Sequence, residues 1–117
     1  MAESMGYSYG LEVGDTIYVS GQVARNGKGE IVGPGDIRLQ TEEAFRNVAA
    51  VLAEGGATLD DVVQLNIFIK DRSFAPVVQE VRKATFHAPY PTACLVVAEA
   101  VRTDYLIEVQ AVAVKRG

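Results

Sequence analysis

Hydrophobic and polar positions alternate most regularly near the C-terminal end of the chain. Ile107, Val109, Ala111 and Ala113 fall on one side of a period-two pattern, and Leu106, Glu108, Gln110, Val112 and Val114 on the other. This predicts a strand. A second apolar, β-branched run begins at Tyr90-Pro91-Thr92-Ala93-Cys94, and the short polar stretch Arg102-Thr103-Asp104 separates the two, so the region reads as strand, turn, strand. At the other end, Gly14-Asp15 is a turn signal between residues 7–13 and the β-prone Thr16–Gly21, which predicts an N-terminal hairpin. Gln22–Val32 contains an Asn-Gly turn and reads as a loose hairpin or loop.

Between these ends the period changes. After Gly33-Pro34-Gly35, Asp36 is placed to cap a helix whose apolar positions Ile37, Ala44, Phe45, Val48, Val51 and Leu52 recur at three- and four-residue steps, until Gly55-Gly56 stops it. Arg38, Glu42, Glu43, Arg46 and Glu54 form its solvated side. Val62–Ile69 is too continuously apolar for a half-exposed strand and is expected in the centre of a sheet, with Asn66 as a buried amide in need of a hydrogen bond. Ser73 is expected to cap a second helix that tolerates Pro76 in its first turn, carries Phe74, Val77, Val78, Val81 and Ala84 on one stripe, and has ended by Pro89 and Pro91. The resulting order, strand, strand, helix, strand, helix, strand, strand, predicts an α+β domain with two helices on one face of a mixed sheet. One helical layer leaves apolar strand surface on the other face, which oligomerisation would cover.

Length and composition narrow the class. A chain of 117 residues with 49% apolar and 22% charged residues is expected to form a single domain over residues 1–117 with an ordinary core. Met1-Ala2-Glu3-Ser4 has neither the basic start nor the apolar region of a signal peptide, and the lone cysteine, Cys94, agrees with a reducing compartment, so the expected location is cytoplasmic without membrane association. A net charge of −4 and a pI of about 4.9 offer no electrostatic footprint for nucleic acid.

Several chemistries are disfavoured by residue supply. One histidine and one cysteine make a transition-metal ligand set improbable. His87, at the expected end of the second helix, suits a helix C-terminal cation or simple exposure better than a triad base. Cys94, in an apolar strand with no histidine beside it in sequence, reads as a buried small hydrophobe rather than a nucleophile. The two glycines of Gln22–Val32, Gly27 and Gly29, lack the Gly-Lys-Ser/Thr ending of a phosphate loop. That leaves Glu108, flanked by apolar neighbours, with two readings: an exposed strand-face residue, or a rim carboxylate tuned as an acid or base.

The pattern resembles the RidA/YjgF family of imine and enamine deaminases, some of whose members are described as endoribonucleases. The resemblance rests on Pro91-Thr92 followed by Ile107-Glu108-Val109 at the family's spacing, on Tyr7–Gly14 and Tyr18-Val19-Ser20-Gly21-Gln22, and on the strand ending Ile67-Phe68-Ile69-Lys70-Asp71. It spans nearly the whole chain and implies a chorismate-mutase-like homotrimer with clefts between subunits and no cofactor. It also implies that Glu108 positions or deprotonates the attacking water, and that Tyr7, Ser20 and Gly21 line the substrate cleft. Two positions depart from the family: Ala93 stands where active members carry an arginine, and Glu99 where a small residue is usual. In active members that arginine grips a substrate carboxylate, an interaction worth about 1.5–3 kcal/mol. Arg25, Arg72 and Arg102 are the cations available to replace it.

Three functions follow from these residues. The first is a hydrolase of a small imine, enamine or related metabolite with Glu108 as acid and base, acting on something other than a typical 2-imino acid unless another cation replaces the missing arginine. The second is a trimer that binds a small metabolite or a partner without turnover. The third, an endoribonuclease, is opposed by the acidic charge balance.

Overall fold

The structure, a computed structural model, describes residues 5–116. Strands β1 (Gly10–Val13) and β2 (Thr16–Gln22) form the expected antiparallel hairpin, pairing Leu11 with Tyr18 and Val13 with Thr16. Its two-residue loop turns on Gly14, whose φ of +59° lies in the left-handed region open to glycine without a Cβ penalty. Helix α1 (Ile37–Glu54) starts where Asp36 accepts the Leu39 amide at 3.0 Å, and stops at Gly55. Its stripe of Ala44, Phe45, Val48 and Leu52 is buried, with Ile37 and Val51 packed at the margin.

Strand β3 (Val62–Ile69), helix α2 (Ala75–Thr85), β4 (Thr92–Val97) and β5 (Ile107–Val114) complete the predicted order. Both helices lie on one side of a five-stranded mixed sheet of order β1-β2-β5-β3-β4, in which only the β3–β4 pairing is parallel. The core lies between sheet and helices: Ile17, Leu65, Ile67, Ile69, Ile107 and Val109 meet Phe45, Val48, Leu52 and Val78. Among the described residues no helix is long and apolar enough to cross a membrane.

Other readings are refined or overturned by the structure. The two C-terminal strands form as read but do not pair with each other: β3 lies between them, and residues 98–106 connect the sheet edge to its centre. Strand β4 is therefore an edge, and Cys94, expected to be buried, is exposed on it. Strand β3 is interior to the sheet but alternates, burying Leu65, Ile67 and Ile69 against the helices while Asn66 and Phe68 face the open side, half-buried; no hydrogen bond holds the Asn66 amide among the described residues. Finally, Ser73 does not cap α2. A 3-10 turn, Arg72–Phe74, precedes the helix, and Asp71 caps that turn by accepting both the Ser73 hydroxyl (2.7 Å) and amide (2.8 Å). The Ser73 hydroxyl and amide hold the Asp71 carboxyl below its ordinary range. Ala84, placed on the α2 stripe, is exposed, whereas Val78 and Val81 are buried.

Candidate functional site

The register of β5 decides where its carboxylate points. Ile107, Val109, Ala111 and Ala113 are buried against the helices, so Glu108 projects from the opposite face, paired across the sheet with Phe68. On its other side β2 is irregular. Val19 pairs with Ala111 but Gln22 pairs with Val109, so Ser20 and Gly21 form a bulge carrying one residue more than the facing segment of β5. The bulge brings the Gly21 backbone against the Glu108 side chain: a Cβ on Gly21 would stand 2.7 Å from Glu108 Cδ and overlap its Oε2. Ser20 is tied back to the entering segment, its amide donating to the Tyr9 carbonyl at 2.8 Å and its hydroxyl to the Ser8 carbonyl.

Glu108 opens into a cavity of about 410 Å³ whose lining includes Tyr7, Ser20, Gly21, Arg25, Arg102 and Tyr105. Thus the four residues singled out from the sequence, Tyr7, Ser20, Gly21 and Glu108, share one cavity within a single chain. Ala93 does not join them. Leu65 is flanked in register by Ala93 on β4 and Ala111 on β5, so Ala93 lies on the helix-facing side of the sheet, opposite to Glu108 and across β3 from it. It lines a separate cavity of about 360 Å³ with Gln79, Arg82 and Lys83 of α2 and with Tyr90 and Pro91. Of the three candidate arginines, Arg25 and Arg102 line the Glu108 cavity; Arg72 sits in the 3-10 turn ahead of α2, outside that lining.

The cavity wall is braced by a residue that the periodicity passes over. Gln40 of α1 is fully buried; its Oε1 accepts the Leu106 amide at 2.8 Å and its Nε2 donates to the carbonyls of Asp104 (3.3 Å) and Gly33 (3.2 Å). One amide thus pins the connection that carries Arg102 and Tyr105 to the helix. Asn47, also on α1, holds the loop after β2 in the same way, donating to the carbonyls of Val23 (2.7 Å) and Arg25 (2.8 Å). The signal for Gln40 was its place between Ile37 and Ala44 on the apolar stripe, where a polar residue must find partners.

A half-buried carboxylate packed against the Gly21 backbone, in a cavity lined also by Tyr7, Tyr105, Arg25 and Arg102, can hold a water or a small polar ligand and exchange a proton with it. His87 has no part in this cavity: it is exposed beyond α2, its Nε2 2.8 Å from Asp60 Oδ1.

The sequence pattern of the family described as Endoribonuclease L-PSP matches residues 1–115. A 2-iminobutanoate/2-iminopropanoate deaminase of Dermatophagoides farinae is 33% identical over 108 residues, covering 92% of this chain and 84% of that protein. Among solved structures, RidA from an Antarctic Psychrobacter superposes with a TM-score of 0.88 at 30% identity, over 94% of this chain and 89% of that one. Escherichia coli TdcF, solved with bound serine, superposes at 0.83 with 27% identity, over 94% and 88% of the two chains. The pattern match over residues 1–115 and the superposition over 94% of the chain place the protein: the chain belongs to the endoribonuclease L-PSP family, the RidA/YjgF fold, to which imine deaminases belong.

Proposed function

We propose that the protein hydrolyses a small imine or enamine to the carbonyl compound and ammonia, with Glu108 as the acid and base. The observation that carries this reading is the position of the Glu108 carboxylate, seated against the Gly21 backbone and open to a cavity of substrate size. An enamine first accepts a proton at carbon and becomes the imine. Water then adds to the C=N carbon, giving up a proton to Glu108 as its oxygen bonds. The protonated Glu108 returns that proton to nitrogen, and its carboxylate then carries the remaining hydroxyl proton of the carbinolamine to the same nitrogen as the C–N bond breaks, so that ammonia leaves and the carbonyl forms. The relatives named 2-iminobutanoate/2-iminopropanoate deaminase carry out chemistry of this kind, and no cofactor enters the scheme.

The working unit in this proposal is a homotrimer with the cleft between subunits, in the cytoplasm. Its support is the open face and edges of the sheet, where Leu11, Val13, Tyr18 and Val96 are between 42% and 58% exposed. Assembly would bring the β4 edge of one subunit, with Ala93, against the Glu108 cavity of the next, uniting residues that one chain holds apart. In this reading Ala93 occupies the place of the arginine of active relatives and contributes shape without charge.

The test is a coupled assay in which an amino-acid oxidase generates 2-iminobutanoate and semicarbazide traps what is not hydrolysed. The wild-type protein should lower the trapped fraction, and Glu108→Gln should reduce the rate about 10²- to 10⁴-fold while leaving the circular dichroism spectrum unchanged. Equal rates for the two proteins would remove Glu108 from the reaction.

A further inference from the structure

The two arginines of the Glu108 cavity are in different states. Arg102 is already committed: its Nη2 donates to Asp104 at 2.7 Å, and its guanidinium carbon lies 5.5 Å from the Tyr105 ring centroid. Arg25 is half-buried and has no carboxylate within ion-pair distance among the described residues. Its single side-chain hydrogen bond there runs from Nη2 to the Tyr9 hydroxyl at 3.3 Å, with the guanidinium carbon 5.8 Å from that ring's centroid. Its backbone is clamped at both ends, the amide donating to the Val23 carbonyl at 2.9 Å and the carbonyl accepting Asn47 Nδ2 at 2.8 Å. A guanidinium has five N–H donors in a planar fork suited to a carboxylate, and here most of them are unclaimed on a rigidly placed residue. Partial burial without an anion is the costly state of such a group, and a ligand carboxylate relieves it.

We propose that Arg25 is the anion-recognition residue of the cavity, gripping the carboxylate of a small 2-imino acid while Glu108 addresses its C=N carbon. This assignment rests on the hydrolytic reading of the same site and names its substrate class. It also reverses the expectation drawn from Ala93 that carboxylate-bearing imines are poor substrates, because the cation enters from the loop after β2 rather than from β4. Arg25 and Glu108 both line this cavity, which so offers a cation for the anionic end of such a ligand and a carboxylate for the water that attacks its electrophilic carbon.

The experiment is calorimetric titration of 2-oxobutanoate, the stable keto-acid product, and of its methyl ester into the wild-type protein, Arg25→Gln, Arg25→Lys and Arg72→Gln. The wild type and Arg72→Gln should prefer the acid to the ester. Arg25→Gln should lose that preference, with acid affinity falling about tenfold to a hundredfold, and Arg25→Lys, which keeps the charge but not the fork, should fall between. Undiminished acid preference in Arg25→Gln, or a wild type that takes acid and ester alike, would overturn the assignment. The two readings fail separately. Arg25-dependent keto-acid binding without imine hydrolysis would sink the catalytic role of Glu108 and keep Arg25; hydrolysis with an unchanged KM for 2-iminobutanoate in Arg25→Gln would do the reverse.

Discussion

Gly21 and Glu108 sit so close across the β2–β5 pair that a single methyl group cannot be placed between them: a Cβ on Gly21 would lie 2.9 Å from Glu108 Cγ and 2.7 Å from Cδ. The carboxylate is seated by the absence of a side chain, on a bulge that turns the β2 backbone toward it. Gly21→Ala is therefore expected to swing the Glu108 side chain to another rotamer and to lower kcat for imine hydrolysis at least about tenfold, because a displacement of about 1 Å at a reacting group has effects of that order or greater. Glu108 borders an open cavity and can turn away, so the stability cost should stay near about 1 kcal/mol. Thermal unfolding read beside turnover separates the two effects, and a variant with full activity would show that the seat does not matter.

Gln40 offers the complementary case of an interior residue whose work is felt in the cavity wall. Replacing it by Leu, of similar size, would leave the Leu106 amide and the Asp104 carbonyl without their partner on α1. The expected cost is about 1–3 kcal/mol in denaturant unfolding. Because these bonds fix the connection that carries Arg102 and Tyr105, KM should rise more than kcat falls. A loss of stability with unaltered kinetic constants would confine Gln40 to the core.

The faces of β5 could be read directly from alternation, and with them the position of Glu108 opposite a buried row, because period two leaves no freedom once one side is apolar. The α1 stripe and its Asp36 cap were legible for the same local reason. What local pattern could not contain was pairing. Nothing in Thr92–Val97 announces that it will add in parallel to β3 rather than fold back on β5, and its edge position exposes Cys94 and sets Ala93 across the sheet from Glu108. The Ser20–Gly21 bulge is likewise a property of two strands together. For Arg25 the residue was visible, whereas its lack of a carboxylate partner among the described residues, in contrast to Arg102 with Asp104, emerges only when the loop after β2 is folded onto Tyr9 and Asn47.

The aromatic centre of the core should set the stability of the domain. Phe45 of α1 is 2% exposed and meets Phe86, just beyond α2, edge to face at a centroid distance of 5.4 Å. Phe45→Ala removes a large buried side chain and leaves a cavity between helices and sheet, a change expected to cost about 3–5 kcal/mol. The adjacent Arg46, 62% exposed in its side chain and paired with Glu43, is the control. Its replacement by Ala should cost less than about 1 kcal/mol. Urea midpoints for the two variants test the ranking, and comparable shifts would contradict it.

A last prediction concerns pH and lies away from the cavity. The His87 imidazole is held above its ordinary pKa of 6.5, first by the Ala88 carbonyl beside Nδ1 and then by the hydrogen bond and charge of Asp60 at Nε2. A raised folded-state pKa means that the folded protein binds this proton more tightly than the unfolded chain. The stabilisation is accordingly complete below the ordinary value of 6.5 and is lost as pH rises through the folded-state value. His87 is exposed, so the contribution is small and weakened by salt. Between about pH 6 and pH 8 the wild-type Tm should fall more than that of His87→Gln, and the difference should shrink in 1 M salt, where the Debye length is about 3 Å. Parallel Tm profiles for the two proteins at low salt would show that the Asp60–His87 pair contributes nothing to folding.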